Sequence, residues 1–307
     1  MAFSQVKLKL AQLEAFVWVA DLGSFRKAAE RLSTTQPNIS TRILALEHLL
    51  DVTLMERDAG SVRLTSKGQE LLDHARQVLR ASERFTDAAG TAALYEGVLK
   101  LGVTEMIVHT WLREFLKTLK DRFPNVLVEL TVDLSANLKK ELFSRSIDLA
   151  LQSGPFERQT SGWEELGTYH WVWVASPELA LPSQTPIKAM DFLRHPILTH
   201  ARDTRPYEEV AAHFRSQQQA PARLVPSSNL AACLHMTIDG MGIAALPAAM
   251  VRDYLIAGQL QLINYRWKPD SLDFRARYDA NRSPIFVVQA AKLAKELSDR
   301  YIKEFEL

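Results

Sequence analysis

Gly23 to Arg57 reads GSFRKAAERLSTTQPNISTRILALEHLLDVTLMER, and its apolar spacing decides the N-terminal fold. Phe25, Ala28, Ala29 and Leu32 fall three and four apart; after Ser33, Thr34 and Thr35 the pattern restarts at Ile39, Ile43, Leu46 and Leu50. Each run makes one apolar stripe at helical spacing, so the stretch predicts two short amphipathic helices joined by a three-residue polar turn. Ser24 stands where the first helix needs an N-cap, with Gly23 before it as the residue best suited to a left-handed exit from a preceding helix. Thr35 can cap the second helix, and Pro37 lies in its first turn, where a missing N–H costs nothing.

Working outward, Leu10, Leu13, Phe16, Val17 and Ala20 predict an earlier helix over about residues 8–21 that shares the same core. Downstream, Asp51 to Leu64 predicts a short hairpin turning at Asp58 to Ser61. The polar residues Gln36, Asn38, Ser40, Thr41 and Arg42 gather in the N-terminal half of the second helix of the pair, the half that a helix-turn-helix pushes toward base edges in the major groove. The plain alternative is a helical hairpin whose polar face meets only water.

The residues Leu13, Phe16, Val19, Ala20, Gly23-Ser24-Phe25, Ala28-Ala29, Leu32, Gln36-Pro37, Ile39-Ser40, Leu46-Glu47 and Leu54-Met55-Glu56-Arg57 closely resemble the winged helix-turn-helix of LysR-type transcriptional regulators. The resemblance continues through Val62-Arg63-Leu64-Thr65 and Gly68 and, more loosely, through the whole chain. It implies DNA contacts from Ser24, Arg26, Lys27, Arg31, Thr35, Gln36, Pro37, Asn38, Ser40, Thr41, Arg42, Arg57 and Arg63. One departure stands out: where the family usually has a basic residue directly after the recognition-helix serine, this chain has Thr41, with Arg42 next.

Bulk properties allow this reading without supplying it. The chain has 307 residues, 47 % hydrophobic and 24 % charged, which suits two or three cores. A formal net charge of +1 gives no whole-chain sign of nucleic-acid binding, so the DNA reading rests on local placement of Arg26, Lys27, Arg31, Arg42, Arg57 and Arg63. The single cysteine, Cys233, excludes an intramolecular disulfide and reads as a packing thiol in the apolar run 230–236. The apolar run 15–20 is too short for a signal or membrane segment, which leads us to expect a cytoplasmic protein with no membrane partner.

From Thr65 the texture changes to a long polar-rich helix on which Leu71, Ala75, Val78, Ser82, Phe85, Ala89 and Ala92 recur four and three apart. This heptad seam predicts a two-helix dimer contact and an operator with approximate two-fold symmetry. Gly90 marks the exit from it. Beyond, strand-like and helical stretches alternate: a strand over 98–103, a helix from Thr104 to Phe123, a strand over 126–132, a helix over 137–144 and a strand over 147–151. That alternation predicts a parallel sheet with crossover helices. A loop follows, then Tyr169 to Ala175 as a strand crossing to a second unit with a strand over 196–199, helices over 207–217 and 229–239, and a glycine-rich turn into a strand ending at Pro247. A return strand is expected over 283–288, followed by a helix from Ala290 to Phe305.

The expected fold is therefore α/β with an all-α-rich N-terminal winged helix-turn-helix at 1–64, a dimerisation helix at 65–94 and a two-lobed effector domain at 95–307, similar to a periplasmic binding protein. Lobe I takes 95–168 and 269–307, lobe II 169–268. Ligands of open α/β sheets sit outside the carboxyl ends of strands, near helix N-termini. The family resemblance places the effector pocket at Thr104, Met106, Ser135, Gln152, Ser153, Thr199, His200 and Ser228. Arg202 is added as a guanidinium able to pair with a carboxylate, favouring a small organic anion, whereas Glu105 would oppose one if it faced inward.

No serine nucleophile elbow, phosphate loop, paired metal-ligand histidines or dinucleotide fingerprint is found, so no enzyme, cofactor or metal site is expected. The resemblance implies a homodimer or tetramer on double-stranded DNA, modulated by the effector and acting on RNA polymerase. The competing class is a solute-binding or chaperone-like α/β protein whose N-terminal helices make protein contacts.

Overall fold

The computed structural model describes residues 7–58, 61–89, 95–181, 186–202, 204–216 and 222–305. Gly60 of the predicted turn, Gly90 and Ala92 at the end of the seam, and Gln217 lie outside the described residues.

Three helices, α1 (Leu10–Leu22), α2 (Phe25–Arg31) and α3 (Gln36–Leu50), pack around Phe16, Phe25, Ala28, Ile39, Ile43 and Leu46, residues singled out by spacing, together with Val19. The caps are those expected: Ser24 Oγ accepts from the Lys27 N–H at 3.3 Å and Thr35 Oγ1 from the Asn38 N–H at 3.4 Å. Gly23 closes α1 at φ +61°, a left-handed backbone that suits glycine. Strands β1 (Met55–Asp58) and β2 (Ser61–Leu64) pair antiparallel behind α3. Glu47 ties this hairpin to the helix, its Oε1 accepting from the N–H groups of Leu54 at 2.7 Å and Met55 at 3.2 Å.

The long helix α4 (Ser66–Ala88) corrects one reading of the seam. Its first turns belong to the N-terminal core, with Ala75 buried there and Leu71 packed on it, because Gly68 lets the helix start directly against the chain at Leu54. A Cβ at Gly68 would come within 2.1 Å of the Leu54 carbonyl oxygen. Only further along, at Val78, Phe85 and Ala89, does the seam stand exposed among the described residues.

The rest of the chain forms two five-stranded mixed sheets. In chain order the elements are β3 (Gly97–Val103), α5 (Glu105–Val108), α6 (Leu112–Arg122), β4 (Val126–Val132), α7 (Ser135–Ser144), β5 (Leu149–Ser153), β6 (Gly162–Tyr169), β7 (Trp171–Ala175), α8 (Ala189–Phe192), β8 (Ile197–Thr199), α9 (Arg205–Ser216), β9 (Leu224–Pro226), α10 (Leu230–Ile238), β10 (Ile243–Pro247), α11 (Ala248–Ile256), β11 (Gln261–Leu262), β12 (Leu272–Tyr278) and α12 (Ile285–Phe305). The first sheet runs β4-β3-β5-β12-β6 and the second β11-β7-β10-β8-β9. Leu99, Leu101 and Val103 bury against Phe115 and Leu119 of α6 and Val287, Ala290 and Ala294 of α12. In the second sheet Trp173 meets Phe192, Phe214 and Tyr265 edge-on, and a separate cluster includes Cys233.

Several expectations are corrected. The sheets are not purely parallel: β12 runs antiparallel between β5 and β6, and β7 runs antiparallel between β10 and β11. The return strand is β12, while 283–288 opens α12 instead. Pro284 sits just before that helix, and its Ile-Phe-Val-Val run packs on the first sheet, so burial overrides β-propensity. The helix predicted from Thr104 to Phe123 breaks at His109–Trp111 into α5 and α6. The strand over 169–175 is two strands meeting at His170, since Tyr169 ends β6, and the strand predicted over 147–151 begins at Leu149.

The N-terminal unit is joined to the first sheet by buried charge. Asp21 on α1, its side chain only 2 % exposed, meets Arg76 at 2.6 Å, Arg145 at 2.5 Å and Arg282 at 3.7 Å. Arg31 on α2 pairs with Asp148 at 2.8 Å, with side-chain exposures of 9 % and 10 %, and lies over the Trp18 ring at 4.7 Å. Arg31 reaches both carboxylate oxygens of Asp148, and Oδ2 also accepts from the Lys100 N–H at 3.0 Å. Burial pushes the Asp148 carboxyl up, against the opposing pull of Arg31 and Lys100.

Candidate nucleic-acid interface and ligand cleft

The two faces of α3 have different surroundings. Ile39, Ile43 and Leu46 are buried, whereas Thr35, Gln36, Pro37, Asn38 and Thr41 are exposed and Ser40 and Arg42 half-buried. Pro37 and the Thr35 cap fix the helix start, so these polar groups project from its first turns. Two of them have local partners: Asn38 Nδ2 donates to Thr34 Oγ1 at 2.8 Å, and Thr41 Oγ1 donates to the Pro37 carbonyl at 3.0 Å. Thr34, absent from the expected contacts, therefore positions Asn38.

Among the expected cations, Arg26 is 77 % exposed with a loose 3.7 Å pairing to Glu30, and Lys27 and Arg63 are exposed. Arg57 lies on β1, with its side chain outside the described residues. Ser24 has its hydroxyl engaged as a cap. Arg31 is the correction: its guanidinium is held by Asp148 and the Trp18 face at the junction, so it does not belong to the outward surface. Sequence places Arg31 on the right helix, but its partner lies 117 residues away.

Between the two sheets lies a cleft of about 1100 Å³, formed where strands β3, β5 and β8 end and helices α5, α7 and α10 begin. Thr104, Met106, Ser135, Gln152, Ser153, His200, Arg202 and Ser228 all line it. Thr199 does not; it is buried beneath the wall in a strand flanked by both β10 and β9. Ser135 and Ser153 join across the floor, hydroxyl to hydroxyl at 2.9 Å, and Ser135 Oγ also accepts from the Ser153 N–H at 3.1 Å. Arg202 stands exposed at the rim, donating to the Tyr207 hydroxyl at 3.1 Å. Nearby Arg205 is already paired with Glu209 at 2.6 Å and Asp270 at 2.7 Å.

The apolar walls come from Tyr169, Trp171, Leu272 and Phe274, none of which the sequence reading places in the pocket. Trp171 is nearly buried yet borders the cleft, edge-on to His200 with centroids 4.7 Å apart. Glu105 points inward and spans the cleft: its Oε2 accepts from the Leu230 N–H at 2.6 Å and its Oε1 from the Ala231 N–H at 2.9 Å. Burial alone would raise its pKa, but bonds from His109, Ala231 and Leu230 outweigh that and hold it below the usual carboxylate range. Burial pushes the His200 imidazole down to about 4, so it is neutral.

Thr104 Oγ1, Gln152 Oε1, Thr199 Oγ1 and His200 Nε2 are buried atoms with no hydrogen-bond partner. Buried polar atoms are nearly always paired, so a cluster of orphans at one cleft marks a place for a ligand or water. Cys233 lies on the buried face of α10 as a free thiol, pushed up to about 12 by burial, which suits packing rather than redox chemistry.

Residues 10–69 match the family of bacterial regulatory helix-turn-helix proteins of the lysR type, and residues 92–292 match the LysR substrate binding domain. The chain belongs to the LysR family of transcriptional regulators. It is similar to the regulator AlsR of Bacillus subtilis, 30 % identical over 200 residues covering 65 % of this chain and 66 % of AlsR. YofA of the same organism is 26 % identical over 244 residues, covering 80 % of this chain and 83 % of YofA. Solved full-length folds agree: a cysteine mutant of Corynebacterium glutamicum OxyR superposes with a TM-score of 0.57 at 22 % identity, covering 98 % of this chain and 95 % of that one. CrgA from Neisseria meningitidis gives 0.55 at 22 % identity, covering 95 % and 99 %.

As a LysR regulator the protein is a DNA-binding transcription factor with a substrate-binding domain, not an enzyme. Among the described residues no helix is long and apolar enough to cross a membrane, and no group of three or more potential ligands could hold a metal ion.

Proposed function

We propose that this LysR regulator binds a dyad operator as a dimer or tetramer, and that a small organic effector in the cleft alters the spacing of its DNA-binding pairs. The observation that carries the reading is α3, whose N-terminal half exposes Gln36, Asn38 and Thr41 while its opposite face is buried. Such a helix can enter a major groove with polar side chains toward the bases. Arg26, Lys27, Arg42, Arg57 and Arg63 would neutralise phosphates, and Ser24, Thr35, Pro37 and Ser40 would fix the approach of the backbone. Val78 and Phe85 on α4 supply an exposed apolar stripe for pairing with a second copy. A dimer fixes the separation of two recognition helices, from which operator symmetry follows. Regulation would then act on RNA polymerase in the cytoplasm.

The effector site is formed by Thr104, Met106, Ser135, Gln152, Ser153, His200 and Ser228, with Thr199 as support beneath. An anionic effector would rely on Arg202 and Lys140 at the rim, because Arg205 is ion-paired and Lys139 is paired with Glu157 at 3.0 Å. Gel-shift titration against the DNA upstream of the protein's own gene tests the reading. Specific, salt-dependent retention is expected, with affinity falling steeply as salt rises. Affinity indifferent to salt and sequence would favour the solute-binding alternative.

A further inference from the structure

The N-terminus of α10 is the place in the cleft best suited to hold an anion, and the protein has filled it. Leu230 and Ala231 donate to Glu105, Ala232 donates to Asn229 Oδ1 at 2.6 Å, and the N-cap Asn229 N–H itself donates to Ser227 Oγ at 3.1 Å. These are the four N–H groups that a helix start leaves without partners inside the helix, so none remains for a ligand carboxylate. A second anion there would also face the Glu105 carboxylate directly, a like-charge contact that disfavours ionisation.

What the cleft leaves open is of the opposite kind. Gln152 is 1 % exposed and its Oε1, an acceptor, has no partner. The His200 ring donates to the Ala245 backbone, and because Nε2 is the unpartnered nitrogen, the donor is Nδ1. In a neutral imidazole this leaves Nε2 as a bare acceptor. Thr104 Oγ1 beside them can act either way. Buried acceptors call for a donor, and the nearby Glu105 carboxylate favours positive over negative charge on it.

Resting on the reading that the cleft holds the effector, we infer that the ligand's buried head is an N–H donor, a primary amine or carboxamide, carried on an aromatic body that packs against Trp171, Tyr169 and Phe274. The Gln152 and His200 acceptors receive the donor, and Glu105 supplies the field that excludes a carboxylate from the same position.

The test uses the full-length protein and three probes of one shape, benzylamine, benzamide and benzoate, followed by thermal shift and calorimetry. Benzylamine and benzamide should stabilise the wild type and benzoate should not. Gln152→Leu should weaken benzylamine about tenfold, and Gln152→Glu, which keeps an acceptor, should retain binding and guards against a folding defect in the leucine variant. Glu105→Gln should weaken benzylamine while leaving benzamide nearly unchanged. Tighter binding of benzoate than of benzylamine, lost in Gln152→Leu, would overturn the donor assignment while leaving the cleft as the effector site. No stabilisation by any probe, or stabilisation indifferent to both Gln152 substitutions, would overturn the cleft reading and this inference with it.

Discussion

Two carboxylates reach across boundaries in this molecule, and they are satisfied differently. Asp21 crosses from the DNA-binding helices to the first sheet and is enclosed by the side chains of Arg76, Arg145 and Arg282. Glu105 crosses from the first sheet to the second and is held by backbone N–H groups, with unpartnered acceptors beside it. The junction is thus filled mainly by opposite charge, although Asp21 Oδ2 and Arg76 Nε lack a hydrogen-bond partner there, whereas the cleft keeps uncharged hydrogen-bonding capacity open. A contact filled by paired charges couples two units mechanically. A cleft of about 1100 Å³ has room and unmet hydrogen bonds for a ligand.

Breaking the junction should have the largest effect. Asp148→Ala leaves the Arg31 guanidinium buried without its counter-ion, at a cost of about 3–5 kcal/mol. Because the penalty is the stranded charge, the double substitution Arg31→Met with Asp148→Leu should recover most of it. Urea unfolding of the three proteins measures both effects. A loss below about 1 kcal/mol in Asp148→Ala would mean that the two units are apart in solution.

The two regions also titrate with opposite sign. His200, at the cleft, is lowered from 6.5 to about 4, so the unfolded chain binds more protons in that range and stability falls as pH drops from 6.5 toward 4. Glu83, on α4 beside the first sheet, is raised by burial from 4.5 to about 7, so the folded chain binds more protons there and stability falls as pH rises from 4.5 toward 7. Each contribution is about 3 kcal/mol, and in the wild type they offset over most of the range. Glu83→Gln should therefore expose a loss of stability toward acid, and His200→Gln a loss toward neutral pH. Equal pH profiles for the two variants would erase the contrast.

Legibility in the sequence follows the same division. The apolar spacing of Phe25 to Leu50 and the caps Ser24 and Thr35 were readable because helix periodicity and capping are local. Most of the cleft residues were readable because strand ends face ligands in such sheets. Strand β12 was not, since Arg275 and Arg277 break its apolar pattern; Arg277 is nevertheless 2 % exposed, packed between the Phe143 and Phe156 rings and bonded to the Arg158 carbonyl. Nor was the fate of Arg31, whose partner Asp148 is brought near only by the fold. The direction of Glu105, the fact on which ligand class turns, depends on a helix from the other sheet.

On the DNA side the comparison predicts a separation of roles. Gln36→Ala and Arg42→Ala should each weaken specific operator binding by about 1–3 kcal/mol with stability intact, as expected for groups left open toward bases and phosphates. Arg31→Ala should instead lower stability first, because its charge is committed to the junction. Polarisation titrations on operator and scrambled DNA, run beside unfolding curves, separate the two. A smaller effect, about tenfold in the dimer dissociation constant, is expected from Phe85→Glu, since Phe85 is 79 % exposed on α4. Leu71→Glu should unfold the N-terminal unit instead, which sedimentation and circular dichroism distinguish.

Thr41 should matter least, since, like Asn38, it is an exposed position on α3 whose polar group already has a local partner. Its hydroxyl donates to the Pro37 carbonyl one turn back, so the donor that a base edge would need is already committed. Thr41→Ala should then change operator affinity by less than about 0.5 kcal/mol, and helix stability by a similar amount. Thr41→Arg is the informative counterpart: a guanidinium at this exposed site adds about one phosphate contact, steepening the salt dependence by about one unit without raising the ratio of specific to non-specific binding. A large loss in Thr41→Ala would show that the hydroxyl leaves Pro37 on the DNA, making this residue part of the reading face rather than of the helix that carries it.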